Sequence, residues 1–119
     1  MKARRLLASG QEFCAPYLLP AEIGNIAWKK CLREEVAADE AEEALATFRK
    51  APISFASASG LARSALAIAL ELRHPFYDCL YLALARRHRT RVVTADKRLR
   101  NKLAGKPEAA LLLWIEDVP

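Results

Sequence analysis

The stretch HPFYDCLYLALARRHRTRVVTADKRL, residues 74–99, contains an apolar helix, a short buried strand and the start of a second helix. Pro75 favours the first turn of the apolar helix, because proline is tolerated where a helical N–H has no partner. The strand RVVTA is followed by Asp96, a favourable N-cap for a helix over DKRLRNKLAG that Gly105 ends. A helix, a strand and a helix in this order predict an α/β fold.

One carboxylate, Asp78, lies within the apolar run FYDCLYLALA of this stretch. Desolvating an unpaired carboxylate is so costly that the group either becomes neutral or acquires a partner. A hydrogen bond from a backbone group or a tyrosine is one explanation for Asp78. A metal ion or an opening to water is the other.

Outside this stretch the chain also alternates short apolar strands with amphipathic helices. This alternation implies an α/β sandwich around a mainly parallel sheet, with a single domain over residues 1–119. The predicted strands are EFCAP, PISFA and AALLLWI, and the predicted helices are KARRLLAS, residues 17–33, EEVAADEAEEALATFRK with Asp39 as its cap, and SASGLARSALAIALELR.

Composition excludes several classes of protein. Of 119 residues, 53% are hydrophobic and 28% charged, with four Gly and six Pro, which is typical of a globular domain and not of a disordered chain. No apolar run approaches the roughly 18 to 20 residues of a membrane span, and MKARRLLASG lacks the apolar segment of a secretory signal. We therefore expect a cytoplasmic protein that does not associate with membranes.

The cysteines and histidines do not form a metal-binding pattern. Cys14, Cys31 and Cys79 include no C-x-x-C pair, and His74 and His88 stand apart from one another. We expect all three cysteines to be reduced, buried and small apolar residues. The sequence therefore argues against a soft-metal site.

Positive charge is concentrated in the second half of the chain. Residues 1–59 hold eight Lys/Arg and eight Asp/Glu, whereas residues 60–119 hold eleven and six, which accounts for the net charge of +5. Such a cluster attracts phosphate backbones, although a solvated basic face that aids solubility is the plainer interpretation. The candidate nucleic-acid contacts are Arg86, Arg87, Arg89, Arg91, Lys97, Arg98, Arg100 and Lys102.

Three acids have positions that suit a shared site. Glu22 lies early in a helix, Asp78 in the first turn of an apolar helix, and Asp96 directly after a strand. Helix N-termini and strand C-termini meet at one end of an α/β fold, and carboxylates gathered there require a cation. Oxygen ligands select Mg²⁺ or Mn²⁺, which suits phosphodiester hydrolysis. Taken singly, Glu22 is better explained as an exposed acid favoured by the helix N-terminus, and Asp96 as a helix cap.

Two segments resemble the PIN domain family, in particular the VapC-type toxins of bacterial toxin–antitoxin pairs. They are APYLLPAEIGNIAWK, similar to the family's second helix with its Glu, and the stretch at residues 74–99, similar to its helix–strand pair with two Asp. The resemblance extends over essentially the whole chain. It implies a three-layer α/β/α sandwich and a Mg²⁺- or Mn²⁺-dependent endoribonuclease that a VapB-like antitoxin inhibits.

The resemblance also assigns residues to the site. The family's acids fall on Glu22, Asp78 and Asp96, and Asn25 and Thr94 match polar positions often found beside the family's metal. For these last two, a helix-surface amide and an ordinary strand residue are the alternatives. The implied partners are an RNA substrate and the antitoxin.

The resemblance fails at the N-terminus. Family members begin with a central strand that ends in an Asp ligand, whereas MKARRLLASG resembles the end of the helix that follows that strand. We expect either a start upstream of Met1 or a relative that binds RNA or an antitoxin without turnover. A missing strand would leave an open sheet edge or gap, which a second copy or a partner segment could fill as a homodimer or another self-association.

Overall fold

The computed structural model of the protein describes residues 11–118, and the predicted helix KARRLLAS lies outside them. The mixed α/β class predicted from the sequence is confirmed, and the arrangement agrees with a PIN-like α/β/α sandwich. Within residues 11–118 no helix has the length and apolar character needed to cross a membrane. The elements are β1 (Phe13–Pro16), α1 (Leu18–Leu32), α2 (Ala38–Arg49), β2 (Ile53–Ala56), α3 (Ala58–Leu72), α4 (Phe76–Arg87), β3 (Val92–Thr94), α5 (Lys97–Leu103) and β4 (Leu112–Trp114), with 3-10 turns at Pro107–Leu111 and Ile115–Asp117.

The described strands form two separate parallel pairs. β1 pairs with β2 in the register Phe13 to Ile53, and β3 pairs with β4 in the register Val92 to Leu112. An apolar groove of about 490 Å³ lies between the pairs and is lined by β1 on one side and β3 on the other. The sheet is therefore divided by a groove between β1 and β3. In the described part of the chain, no strand pairs with the edges of β1 and β3 that face this groove.

Helices α3 and α4 make the core. In α3 the buried residues Leu61, Ala65, Ile68 and Leu72 recur at intervals of three and four, so they form one face of the helix. That face packs against α4, which buries Leu82 and most of its other apolar residues and also contacts both β1 and β3. The apolar run that singled out this helix in the sequence is therefore explained by burial against three neighbours.

Two local predictions are wrong. Asp39 does not cap α2: the helix begins after Ala37, whose N–H donates to the Glu40 carboxylate at 3.1 Å. Asp39 lies in the first turn instead and accepts from the N–H of Glu40. The last strand is shorter than AALLLWI, because the segment Pro107–Leu111 forms a 3-10 turn that the fixed backbone angle of proline favours at its start.

The core packing predicts a large loss of stability for Leu82→Ala. The Leu82 side chain of α4 is fully buried in the core, so truncation should lower the free energy of unfolding by about 2–5 kcal/mol. Leu70→Ala in α3, at a side chain that is 71% exposed, is the matched control and should change it by less than about 0.5 kcal/mol. Urea unfolding followed by circular dichroism measures both. Equal losses for the two variants would contradict this assignment of the core.

Candidate active site

Three acids predicted from the sequence line one cavity. Glu22, Asp78 and Asp96 all border a cavity of about 250 Å³, together with Thr94 and Tyr81. They come from three separate elements: α1, the first turn of α4 and the residue before α5. The fold therefore brings together side chains that lie up to 74 positions apart in the sequence.

The chain reaches this cavity from the carboxyl ends of two strands. After β1 the backbone turns at Tyr17 into α1, and after β3 it turns at Asp96 into α5. In parallel sheets the crevice for a ligand lies beyond these ends. Glu22 and Asp96 therefore lie near the cavity because each follows the carboxyl end of a strand.

Asp78 has a partner that the sequence reasoning did not identify. The Nε2 atom of His74 lies 2.7 Å from Oδ2 of Asp78, and because an ionised carboxylate only accepts, the imidazole N–H donates. The His74 side chain is 10% exposed and the Asp78 side chain 38% exposed, so the acid remains open to the cavity. His74 precedes α4 and is not helical, so its spacing of four residues from Asp78 does not by itself predict this contact.

Glu22 is held by Tyr81. The Tyr81 hydroxyl donates to Oε1 of Glu22, which ties α4 to α1 across 59 positions of sequence. Burial raises the pKa of the Tyr81 phenol above its usual range, and the hydrogen bond to Glu22 and the charges of Glu22 and Asp78 raise it further. The raised pKa keeps the Tyr81 hydroxyl protonated at neutral pH, so it can donate to Glu22 there. In the sequence, the spacing of three residues between Asp78 and Tyr81 indicates that both lie on the same face of α4.

Asp96 caps α5, as predicted. Its Oδ1 atom accepts from the N–H groups of Arg98 at 2.9 Å and Leu99 at 3.2 Å, and Thr94 Oγ1 accepts from the N–H of Asp96 at 3.0 Å. Thr94 therefore lies beside the acid and lines the cavity, whereas Asn25 is exposed on α1 and does not line it. Of the two polar positions that the family resemblance suggested, only Thr94 is at the site.

The donors fit a hard divalent ion in their chemistry. Each acid engages one carboxylate oxygen in the hydrogen bonds above, and each carries a second oxygen that could serve a ligand in the cavity. Oxygen donors of this kind select Mg²⁺ or Mn²⁺ over softer metals. Within residues 11–118, however, no three His, Cys, Asp or Glu side chains lie close enough together to hold one ion as they stand.

The candidate nucleic-acid contacts are exposed, all eight of them. Two also have protein contacts: the Arg87 guanidinium donates to the carbonyl of Gly60, and the Cζ atom of Arg100 lies 4.6 Å from the centre of the Trp114 ring. The cation–π contact holds Arg100 flat against an aromatic surface. The exposed basic residues therefore lie on α4 and α5 and in the segment between them, and two of the arginines have a contact with the protein.

The expectation that all three cysteines are buried is wrong. They are free thiols, but Cys14 is exposed, Cys31 is half-buried and only Cys79 is buried. Cys14 is exposed because it lines the groove between β1 and β3. Burial, with the nearby charge of Asp78, raises the pKa of Cys79 to about 11.

The comparisons with known proteins identify a family for this chain. The family model of the PIN domain matches residues 1–103. The matched part contains all three acids and extends to the end of α5. The comparison with curated proteins finds no match.

The thiols should differ in reactivity at pH 8. Because the thiolate is the nucleophile, a Cys79 pKa of about 11 keeps that residue protonated, and its burial excludes the reagent. Iodoacetamide should label Cys14 in the folded protein and leave Cys79 unlabelled, with both labelled in urea. Mass spectrometry of the tryptic peptides reads the result. Labelling of Cys79 as fast as Cys14 in the folded protein would contradict its placement in the core.

Proposed function

Because the chain belongs to the PIN domain family, whose members are generally metal-dependent nucleases, we propose that it is a Mg²⁺- or Mn²⁺-dependent endoribonuclease. The observation that carries the proposal is that Glu22, Asp78 and Asp96 line one cavity. The proposal includes a role as a VapC-type toxin that a VapB-like antitoxin inhibits. Its support is the likeness of residues 15–29 and 74–99 to segments of such toxins.

The three acids would hold the divalent ion, each through its second carboxylate oxygen. A bound ion of this kind polarises the phosphate and lowers the pKa of the attacking water. The protein's own contribution is to fix the acids: the cap of α5 fixes Asp96, and hydrogen bonds from His74 and Tyr81 fix Asp78 and Glu22. The first turn of α4 adds the positive end of a helix dipole beside Asp78.

The basic face would hold the RNA. Arg86 and Arg87 end α4, Arg89 follows it, and Arg98, Arg100 and Lys102 lie on α5. They therefore belong to or follow the two helices whose first turns begin beside the cavity. Contacts from Lys and Arg to phosphates release counterions and give affinity without base specificity. This arrangement supports a single-stranded or flexible RNA placed along the face with one phosphate at the acids.

A second candidate function is binding of RNA or an antitoxin without turnover. The observation that favours it is that, across residues 11–118, no three ligand-type side chains lie at metal-binding separation. Each acid is satisfied by a protein partner instead. The two functions differ in whether Mg²⁺ changes the fate of bound RNA.

Replacing Asp78 by Asn tests the nuclease. The substitution keeps the size of the side chain and removes a charge that the metal requires, so Mg²⁺-dependent RNA cleavage should fall to background. Cleavage of a fluorophore-labelled RNA with Mg²⁺, with Mn²⁺ and with EDTA measures it. Glu43→Gln on the exposed face of α2 removes the same charge far from the cavity and should cleave at the wild-type rate.

Two outcomes of this experiment would count against the nuclease. Undiminished cleavage by the Asp78→Asn protein would show that the acids do not carry the reaction. Tight RNA binding by the wild-type protein, with no cleavage in either metal, would replace the nuclease by the binding function. Fluorescence anisotropy of the same RNA in EDTA provides the binding measurement.

The groove between β1 and β3 supports a further part of the proposal, self-association through a strand from a second copy. Phe13 and Tyr17 donate their N–H groups to β2, at 3.1 and 2.9 Å. Both groups of a residue in a parallel ladder face the same side, and successive residues alternate. Cys14 therefore presents its N–H and its carbonyl to the groove, where an added strand would pair with them.

The proline variant Cys14→Pro should prevent that association. Proline at position 14 removes the N–H that faces the groove and leaves the hydrogen bonds of Phe13 and Tyr17 to β2 in place. Multi-angle light scattering should show a dimer for the wild-type protein and for Cys14→Ser, which keeps the N–H, and a monomer for Cys14→Pro. A wild-type protein that is monomeric over the whole concentration range would refute self-association.

A further inference from the structure

Two hydrogen-bond donors from the same part of the chain hold acids that line the cavity. His74 lies just before α4 and donates to Asp78 in the first turn of that helix, at 2.7 Å. Tyr81 lies one turn further on and donates to Glu22 of α1. The segment of residues 74–81 thus supplies a donor to Asp78, within the segment itself, and a donor to Glu22 of α1.

We propose that His74 and Tyr81 are positioning residues, each of which restrains one acid, Asp78 or Glu22, through one carboxylate oxygen and so favours binding of a divalent cation by the other oxygen. The inference rests on the proposed function, because it assigns roles toward the metal of the same site. Each donor occupies one oxygen of its acid and leaves the second for the cation. Partners of this kind orient carboxylate ligands in metal sites and limit their rotation.

The burial of His74, Asp78 and Tyr81 supports a role of the two donors in positioning the acids. The His74 side chain is 10% exposed, so its ring has little freedom to leave Asp78, whose own side chain is 38% exposed. Tyr81 is half-buried, and its ring borders both the cavity and the groove between β1 and β3. The donors are therefore fixed by packing while the acids remain accessible to a ligand.

A purely structural role for these hydrogen bonds makes a different prediction. If they served only to join α1 and α4 or to stabilise the first turn of α4, their loss would lower the melting temperature and leave cation affinity unchanged. A positioning role predicts the opposite pattern of effects on cation affinity and melting temperature. Cation affinity should fall in a variant whose fold and melting temperature remain close to those of the wild-type protein.

Titration of the metal-free protein with Mn²⁺, followed by isothermal calorimetry, separates the two roles. Tyr81→Phe keeps the ring and removes the hydroxyl, and His74→Ala removes the imidazole. Each should weaken Mn²⁺ binding by about tenfold or more, the usual cost of losing a partner of a metal ligand. Tyr77→Phe is the matched control, because Tyr77 is 63% exposed on the same helix, and it should bind Mn²⁺ as tightly as the wild-type protein.

The conservative variant His74→Gln completes the test. The glutamine amide offers an N–H at about the reach of Nε2, so it should recover much of the affinity that His74→Ala loses. Wild-type affinity in folded Tyr81→Phe and His74→Ala proteins would overturn the inference, as would a wild-type protein that does not bind Mn²⁺. Mn²⁺ binding that depends on both residues, in a protein that does not cleave RNA, would refute the nuclease and leave the positioning roles intact.

Discussion

The packing of α3 against α4 is the constraint on which the rest of the structure depends. α4 is the element that contacts both strand pairs, β1 on one side of the groove and β3 on the other, while α3 covers its buried face. With the sheet divided, no strand-to-strand hydrogen bond joins the two halves in the described chain. The halves keep their relative position because one apolar helix is packed against both. The same helix delivers Asp78 and Tyr81 to the cavity, so the geometry of the site is set by core packing.

This dependence explains how an acid is tolerated in α4, which buries more residues than any other helix in the described part of the chain. Asp78 lies in the first turn, where the helix dipole is favourable, the His74 imidazole donates a hydrogen bond, and part of the side chain reaches water. Its neighbour Cys79 faces the core instead, and there burial raises the pKa of the thiol to about 11. Adjacent positions of one helix thus differ sharply in environment, because successive side chains lie about 100° apart around the axis.

Much of the fold and of the site could be predicted from the sequence, because the signals are local. Helical periodicity and the Asp96 cap give the order of elements, and strand ends followed by acids give the cavity. What could not be predicted depends on tertiary contacts. His74 lies before α4 and outside any helix, so the sequence does not reveal its hydrogen bond to Asp78. Cys14 lies in an apolar strand, and the sequence of such a strand does not reveal which of its edges faces a groove. Asn25 was assigned by resemblance alone, and the turn of α1 directs it to solvent.

The groove and the cavity share five lining residues, among them Tyr81 and Thr94. Tyr81 lines both, and its hydroxyl holds Glu22, so a chain segment that enters the groove meets the ring that orients an acid of the site. Thr94, which accepts from the N–H of Asp96, also lines both spaces. A strand paired with β1 and β3 would restrict these two side chains from the sheet side, while α4 restricts them from the helix side. In the described chain the acids lie around one cavity but not at metal-binding separation. A strand in the groove would therefore lie against the side chains that hydrogen-bond to Glu22 and to the backbone of Asp96, so the groove and the candidate site are built from shared residues.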